Sequence, residues 1–424
     1  MNKRVIALLV LTVFTLHVFT GCGNSGIVMN YEDSDKETVT LSFFGNKYEP
    51  ENVKVIEEII SGFMEENPNI RVSYESLKGN DYFDALIKRM ASGKGNDVFM
   101  VNHDVLLELE QKEQVADLSQ LSNISSYTEQ MRSQMEEKSG KIYWVPTTVS
   151  AFGLYCNMDL LKKYGQKVPQ NIGEWDSVCS FFKQQGITPV VANNDISLKT
   201  MAIGHSFFSV YQENSQADIF DKINRGEARL SDYLRSGFSI AESFLSKGYI
   251  DREKALHTKK TSDDLEEFAK GEAPFMLTGA WAAGRVENMN TELDFEVAPL
   301  PVLEDGSMLV INPDTRLSVN ADSQHLEAAM KFVEYFTEEN NIQKFADQQS
   351  SFSPLKAGSP SSIGEIQSLV SCYKSGRTVI GSDALLELPI WELTAEAAQK
   401  LLSGERLETV MEWIDQQAGG DNAL

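Results

Sequence analysis

The chain has 424 residues, with 38 basic against 62 acidic side chains and a formal net charge of −24. That balance argues against nucleic acid as a partner and against a bare electrostatic hold on anionic lipid. Its four cysteines and five histidines form no CxxC pair and no Cys/His cluster of metal-ligand spacing, so neither a metal nor a cofactor is expected.

Lys3 and Arg4 precede an apolar run over residues 5–19, too short and too near the start to span a bilayer, and small residues follow it. This order is the grammar of a secretory signal peptide. The sequence Phe19-Thr20-Gly21-Cys22 resembles a bacterial lipobox, in which the cysteine is acylated and becomes the new N-terminus; Phe19 stands where leucine is usual. The expectation is a signal peptide over residues 1–21 and lipid on Cys22. A polar, acidic, flexible tether over residues 22–38 would follow, placing the chain on the outer face of the cytoplasmic membrane. Roughly 390 residues then remain, more than one core serves comfortably, so two lobes are expected. With Cys22 lipidated, Cys156, Cys179 and Cys372 can form at most one disulfide, and three buried thiols are the simpler expectation.

Short strand-like runs alternate with helical periods from there on, which predicts an α/β architecture. Residues 39–44 read as a strand. Val53, Val55, Ile56, Ile59, Ile60 and Phe63 fall at helical spacing and are stopped by Asn67-Pro68. Ile70, Val72 and Tyr74 alternate as a second strand; Phe83, Leu86, Ile87 and Met90 mark a second helix ending at Gly93; residues 97–101 form a short buried-type strand. This βαβαβ order implies parallel pairing with right-handed crossovers. Strands are then predicted over 151–156, 187–192, 273–277, 295–299 and 308–311, and helices over 174–185, 196–211 and 232–247. The C-terminal quarter reads as almost wholly helical, with Leu326, Met330, Val333 and Phe336 on one face. No internal repeat is present.

The order of motifs from Val39 onward resembles the family-one extracellular solute-binding proteins, relatives of maltose-binding protein. Phe43-Phe44-Gly45-Asn46 closes the first strand, and Phe63-Met64-Glu65-Glu66-Asn67-Pro68-Asn69-Ile70-Arg71-Val72 joins the first helix to the second strand. Met90-Ala91-Ser92-Gly93, Asn96-Asp97-Val98-Phe99 and Gly140-Lys141-Ile142-Tyr143-Trp144-Val145-Pro146 follow in family order. So do Gly153-Leu154-Tyr155-Cys156-Asn157-Met158-Asp159-Leu160, Gly279-Ala280-Trp281 and Phe295-Glu296-Val297-Ala298-Pro299-Leu300-Pro301. The resemblance implies a type II, two-lobed binding-protein fold, each lobe a mainly parallel sheet flanked by helices. The first lobe would take residues 39–149 and 316–350, the second 150–311 and 351–424, with a ligand held between them. It also implies a monomer that captures a carbohydrate and delivers it to the permease of an ABC importer.

Sugars offer apolar CH faces and rings of hydroxyls, so a site for them needs flat aromatic surface and a few fixed polar groups. The resemblance places a stacking tryptophan at Trp281 and hydroxyl-binding side chains at Asn46 and Lys47. Asp104 matches a carboxylate that accepts sugar hydroxyls, or else caps the helix of residues 105–110. His103 beside it is expected to be structural. Ser150 lies at the hinge crossing, where some relatives carry an acidic ligand contact. Arg316 offers either a bidentate donor pair or a structural salt bridge. Phe44, Trp144 and Trp391 are further aromatic candidates. No GxSxG, HExxH, phosphate loop or GxGxxG stands in the chain, so no catalytic residue is expected. A secreted glycoside hydrolase using a carboxylate pair and a binding protein that feeds a sensor are the rival readings.

Overall fold

In a computed structural model of the chain, residues 38–137, 139–359 and 361–419 are described. The signal peptide, Cys22 and all of the tether except Thr38 therefore lie outside the described residues. Ten strands are present among the described residues: β1 (Val39–Gly45), β2 (Ile70–Ser76), β3 (Val98–Val101), β4 (Val145–Asn157), β5 (Val190–Val191), β6 (Phe275–Gly279), β7 (Phe295–Ala298), β8 (Leu300–Leu303), β9 (Gly306–Val319) and β10 (Thr378–Ile380). They run in the order β2-β1-β3-β9-β4-β6-β5, with β8 and β10 added to β9 and β7 to β4.

The first βαβαβ unit follows its hydrophobic pattern. Pro50, whose missing N–H is harmless in a first turn, opens helix Pro50–Glu66, and that helix buries Ile56, Ile59, Ile60 and Phe63. It joins β1 to β2 in parallel register from Val39↔Ile70 to Gly45↔Ser76. β3 lies parallel to β1 on its other side, and β5–β6 and β9–β10 are parallel too. The pairs that β4 and β9 make with each other and with β3, β6, β7 and β8 are antiparallel.

Those two strands differ most from expectation. Residues 151–156 and 308–311 are only the apolar middles of strands 13 and 14 residues long. Every residue of β4 is buried, and a strand covered on both faces carries no alternation to read. β4 and β9 pair from Val145↔Leu317 to Phe152↔Val310. The ladder carries Pro146 and Pro313, and at Thr147 and Thr315 it is replaced by a bond from Thr147 Oγ1 to the Thr315 carbonyl at 2.9 Å. Thr315 has φ of +45°, a conformation that a β-branched residue adopts only under constraint.

Two cores flank this crossing. One includes Leu41, Phe43, Phe63, Phe99, Phe332 and Phe336; the other includes Trp175, Phe182, Met201, Phe238, Phe244 and Ile414. Phe43 meets Phe332 edge-on with ring centroids 5.5 Å apart, which ties helix Leu326–Phe336 to β1. That helix is rotated from the predicted face: Ala329, Phe332, Val333 and Phe336 are buried, while Leu326 is exposed. Its aromatic partners, not its own period alone, choose the stripe. The predicted strand at 187–192 contracts to β5, and the short β10 interrupts the helical C-terminal quarter. Cys156, Cys179 and Cys372 are free and buried, and burial pushes all three thiols up. No helix of the described residues is long and apolar enough to cross a membrane.

Candidate functional site

A cavity of about 480 Å³ opens where β1, β3, β6 and β10 end, at the strand carboxyl ends where open α/β sheets bind their ligands. Asn46 and Lys47 leave the end of β1 and line it. Asn102 and Asp104 leave the end of β3. The Asn102 side chain caps helix His103–Gln111 by accepting from the Val105 N–H at 2.8 Å. Asp104 is therefore not the cap, and its side chain is available to the cavity. His103 also borders the cavity but is buried, with Nε2 3.0 Å from the Leu386 carbonyl; burial and the Arg316 charge pull it down to about 3, so it stays neutral.

The facing side is aromatic. Trp281 sits in the 3-10 turn Ala280–Ala282 directly after β6, Phe152 on β4, and Trp391 in the first turn of helix Ile390–Leu402. Phe152 joins the two indoles, its ring centroid 5.1 Å from that of Trp281 and 5.0 Å from that of Trp391. Each indole is laid over a glycine: a Cβ at Gly279 would run into the Trp281 ring, and one at Gly381 into the Trp391 ring. Only a residue without a side chain lets the indoles lie this close to the backbone.

Ser150, Asn312 and Arg316 line the cavity from the crossing of β4 and β9. Ser150 Oγ is 3.5 Å from the Asn312 carbonyl. Arg316 donates from Nε to the Pro313 carbonyl at 3.1 Å and from Nη2 to the Ser382 carbonyl at 3.3 Å. Its guanidinium lies 3.9 Å from the Trp144 ring centroid. Buried at 2 % exposure, it is pulled down to about 10 by burial, against the nearby Asp314, Asp104, Asp383 and Glu110 charges. It remains a cation at neutral pH. Of the two roles expected for it, the salt bridge is not formed among the described residues: its hydrogen bonds run to carbonyls and to the Ser382 hydroxyl.

Three buried polar atoms on this cavity have no hydrogen-bond partner among the described residues: Asn46 Oδ1, Asp104 Oδ1 and Arg316 Nη1. Each such atom costs about 1–3 kcal/mol of unreturned desolvation. Asp104 is pushed up to about 6, first by burial and then by Glu392, with Lys199 and Arg316 opposing. Acceptors and a cationic donor thus share one cavity with two indole faces. Among the described residues, no group of three or more His, Cys, Asp or Glu side chains is placed to hold a metal ion.

Seven of the residues singled out in the sequence line this cavity: Asn46, Lys47, Asp104, Ser150, Trp281, Arg316 and Trp391. Phe44 and Trp144 do not, which corrects their expected place in the cleft. Phe44 is fully buried between Tyr82 and the Arg89 guanidinium. Trp144 is 2 % exposed and serves as the ring beneath Arg316. An aromatic residue on a strand covered from both sides has only core to enter. Phe152, Lys260, Arg285 and Glu49 also line the cavity without having been singled out. Phe152 looks like any core residue of β4, Glu49 and Lys260 lie in polar segments without a period, and Arg285 sits in the short helix Ala283–Met289. Glu49 and Arg285 approach to 4.0 Å at the rim, linking the segment after β1 to the helix after β6.

A family model described as bacterial extracellular solute-binding protein matches residues 46–342. The multiple sugar-binding protein of Streptococcus mutans is 23% identical, over 82% of this chain and 81% of its own length. The melibiose/raffinose/stachyose-binding protein MelE of Bacillus subtilis is 21% identical, over 75% of this chain and 74% of its own. The solved structure of RafE in complex with raffinose has a TM-score of 0.72 at 21% identity, covering 90% of this chain and 99% of that one. The fold is thus the two-lobed α/β fold of the type II binding proteins.

Proposed function

The chain belongs to the bacterial extracellular solute-binding proteins, and from that premise we propose that it captures a carbohydrate, most simply an oligosaccharide, and delivers it to the permease subunits of an ABC importer. The observation that carries this reading is the trio of unpartnered atoms, Asn46 Oδ1, Asp104 Oδ1 and Arg316 Nη1, on a cavity edged by Trp281 and Trp391. A sugar hydroxyl both donates and accepts, so the hydroxyls of a carbohydrate suit acceptors and a cationic donor alike while a CH face covers an indole. Relatives described as binding melibiose, raffinose and stachyose support the choice of ligand class.

The lobes would be divided as the resemblance implies, residues 39–149 with 316–350 and residues 150–311 with 351–424. Of the three breaks this makes, those at 149/150 and 311/316 fall beside the interrupted ladder at Thr147 and Thr315, and the one at 350/351 falls beside the Val149–Phe352 bridge. Closure about this crossing is the mechanism: only the closed arrangement lets both sides of the cavity touch the ligand, so ligand shifts the population toward it. The closed surface is what the permease would recognise. Lipid on Cys22 would hold the protein at the outer face of the membrane as a monomer; Cys22→Ala is expected to release it from the membrane fraction into the medium.

A thermal-shift screen against melibiose, raffinose, stachyose and other glycans tests the reading. A glycan at about 100 times its Kd should add roughly 2.7 kcal/mol to stability, and small-angle scattering should register a more compact molecule. No shift across the panel overturns the carbohydrate assignment. Consumption of a glycan at enzymatic rates in the same samples would favour a glycoside hydrolase instead.

A further inference from the structure

We propose that Lys199, a residue outside the cavity, is the positioning residue for the Trp391 indole and so tunes affinity for the ligand without touching it. The inference rests on the carbohydrate reading of the cavity. Lys199 lies on the first turn of helix Ile196–Gln212 with its side chain 1% exposed. An ammonium so deeply buried is tolerated only when its three donors are answered. Two of its contacts are to one residue: it donates to the Trp391 carbonyl at 3.2 Å, and Nζ stands 4.1 Å from the centroid of the Trp391 ring. This grips both backbone and ring, within the range of cation–π attraction. With Phe152 packed 5.0 Å from the same ring and Gly381 leaving it room, the tilt of the indole is set from behind the cavity wall.

Asp195 completes the arrangement. Its carboxylate pairs with Lys199 and also with Lys260, which lines the cavity itself. Burial pushes the Asp195 carboxyl up, but the two ammoniums outweigh it and hold it down to about 2, so it stays ionised. Burial pulls Lys199 down to about 8, with Asp195 and Glu392 opposing and Lys260 adding to the fall. Removing one member of a buried pair strands the other charge, but here Asp195 keeps Lys260 as a partner when Lys199 is replaced.

Lys199→Met keeps the volume and removes the charge. For the tightest binder among raffinose, stachyose and melibiose, calorimetric titration should give a roughly tenfold weaker Kd, and Lys199→Arg should restore most of it. In a Trp391→Phe background, Lys199→Met should add no further loss, as expected when one residue acts through the other. Without any ligand, Lys199→Met should alter tryptophan emission, and that change should vanish in the Trp391→Phe background. If Lys199→Met does not fold, Asp195→Asn should weaken binding in the same direction. Wild-type affinity in Lys199→Met, or an emission change that survives Trp391→Phe, overturns the proposal. If no glycan binds the wild-type protein, the carbohydrate reading fails, and the ligand-free emission experiment alone decides the role of Lys199.

Discussion

On the side reached from β1 and β3, the cavity presents polar tips: Asn46, Lys47 and Asp104, with Arg316 at the strand crossing. On the side reached from β4 and β6 it presents ring faces, Trp281 and Trp391 bridged by Phe152. The polar side stores cost in the free protein, because Asn46 Oδ1, Asp104 Oδ1 and Arg316 Nη1 are buried without partners. The aromatic side stores none; its rings are packed against one another and over glycines. The contrast separates two tasks. Rings supply contact area that tolerates small shifts of a ligand, whereas unpaired donors and acceptors reward only the ligand that matches their directions.

The comparison is broken most severely at the aromatic side. Trp281→Ala is expected to weaken glycan binding about 100-fold, near 3 kcal/mol, and to lower the melting temperature as well, because the indole packs on Phe152; unchanged affinity by calorimetry would remove that side from recognition. Asp104→Asn probes the polar side and should cost about tenfold in affinity. Its effect on stability should have the opposite sign. The Asp104 carboxyl lies at about 6 in the folded protein against an ordinary 3.8, so the folded state penalises its charge. The favourable contribution of the protonated form is complete below the unfolded value and is lost as pH rises through about 6. Ligand-free Asp104→Asn should therefore unfold at higher temperature than wild type at about pH 7.5, by at most about 3 kcal/mol, and match it below about pH 3.8. Wild-type affinity should fall as pH drops through about 6, while that of the variant stays flat.

Gly279→Ala sharpens the aromatic side without deleting a ring. The new methyl group must displace Trp281, so affinity should fall about fivefold and stability by about 1–2 kcal/mol. A variant indistinguishable from wild type in both would show that the indole has room to move. The smallest effect belongs to the rim. Glu49 and Arg285 are part-exposed and 4.0 Å apart, so Glu49→Gln should alter affinity less than about threefold, with a loss that fades as salt is raised.

Much of this architecture is legible along the chain. The βαβαβ start and helix Leu230–Ser246 come from periods that a single element carries by itself, whereas helix Ile196–Gln212, buried on nearly every face, shows as an apolar run of helical length. Site residues immediately after strand ends, Asn46, Asp104 and Trp281, are placed by the same logic, since a strand end in an α/β sheet points at the cleft. Phe152 and Phe44 expose the edge of that logic. Both are phenylalanines on strands, yet one lines the cavity and the other is sealed between Tyr82 and Arg89. The difference depends on what packs above each ring.

The sequence by itself determined the kind of fold, because hydrophobic periods and turn residues act over a few positions and report which face of each element is covered. It also determined which residue types stand at the strand ends. Only the tertiary structure decided the full length of β4 and β9, the burial of Trp144 beneath Arg316, and the grip of Lys199 on Trp391 across 192 residues of chain. Such contacts join segments with no local signal in common, and their energy comes from burial and pairing that exist only once the distant partner has arrived.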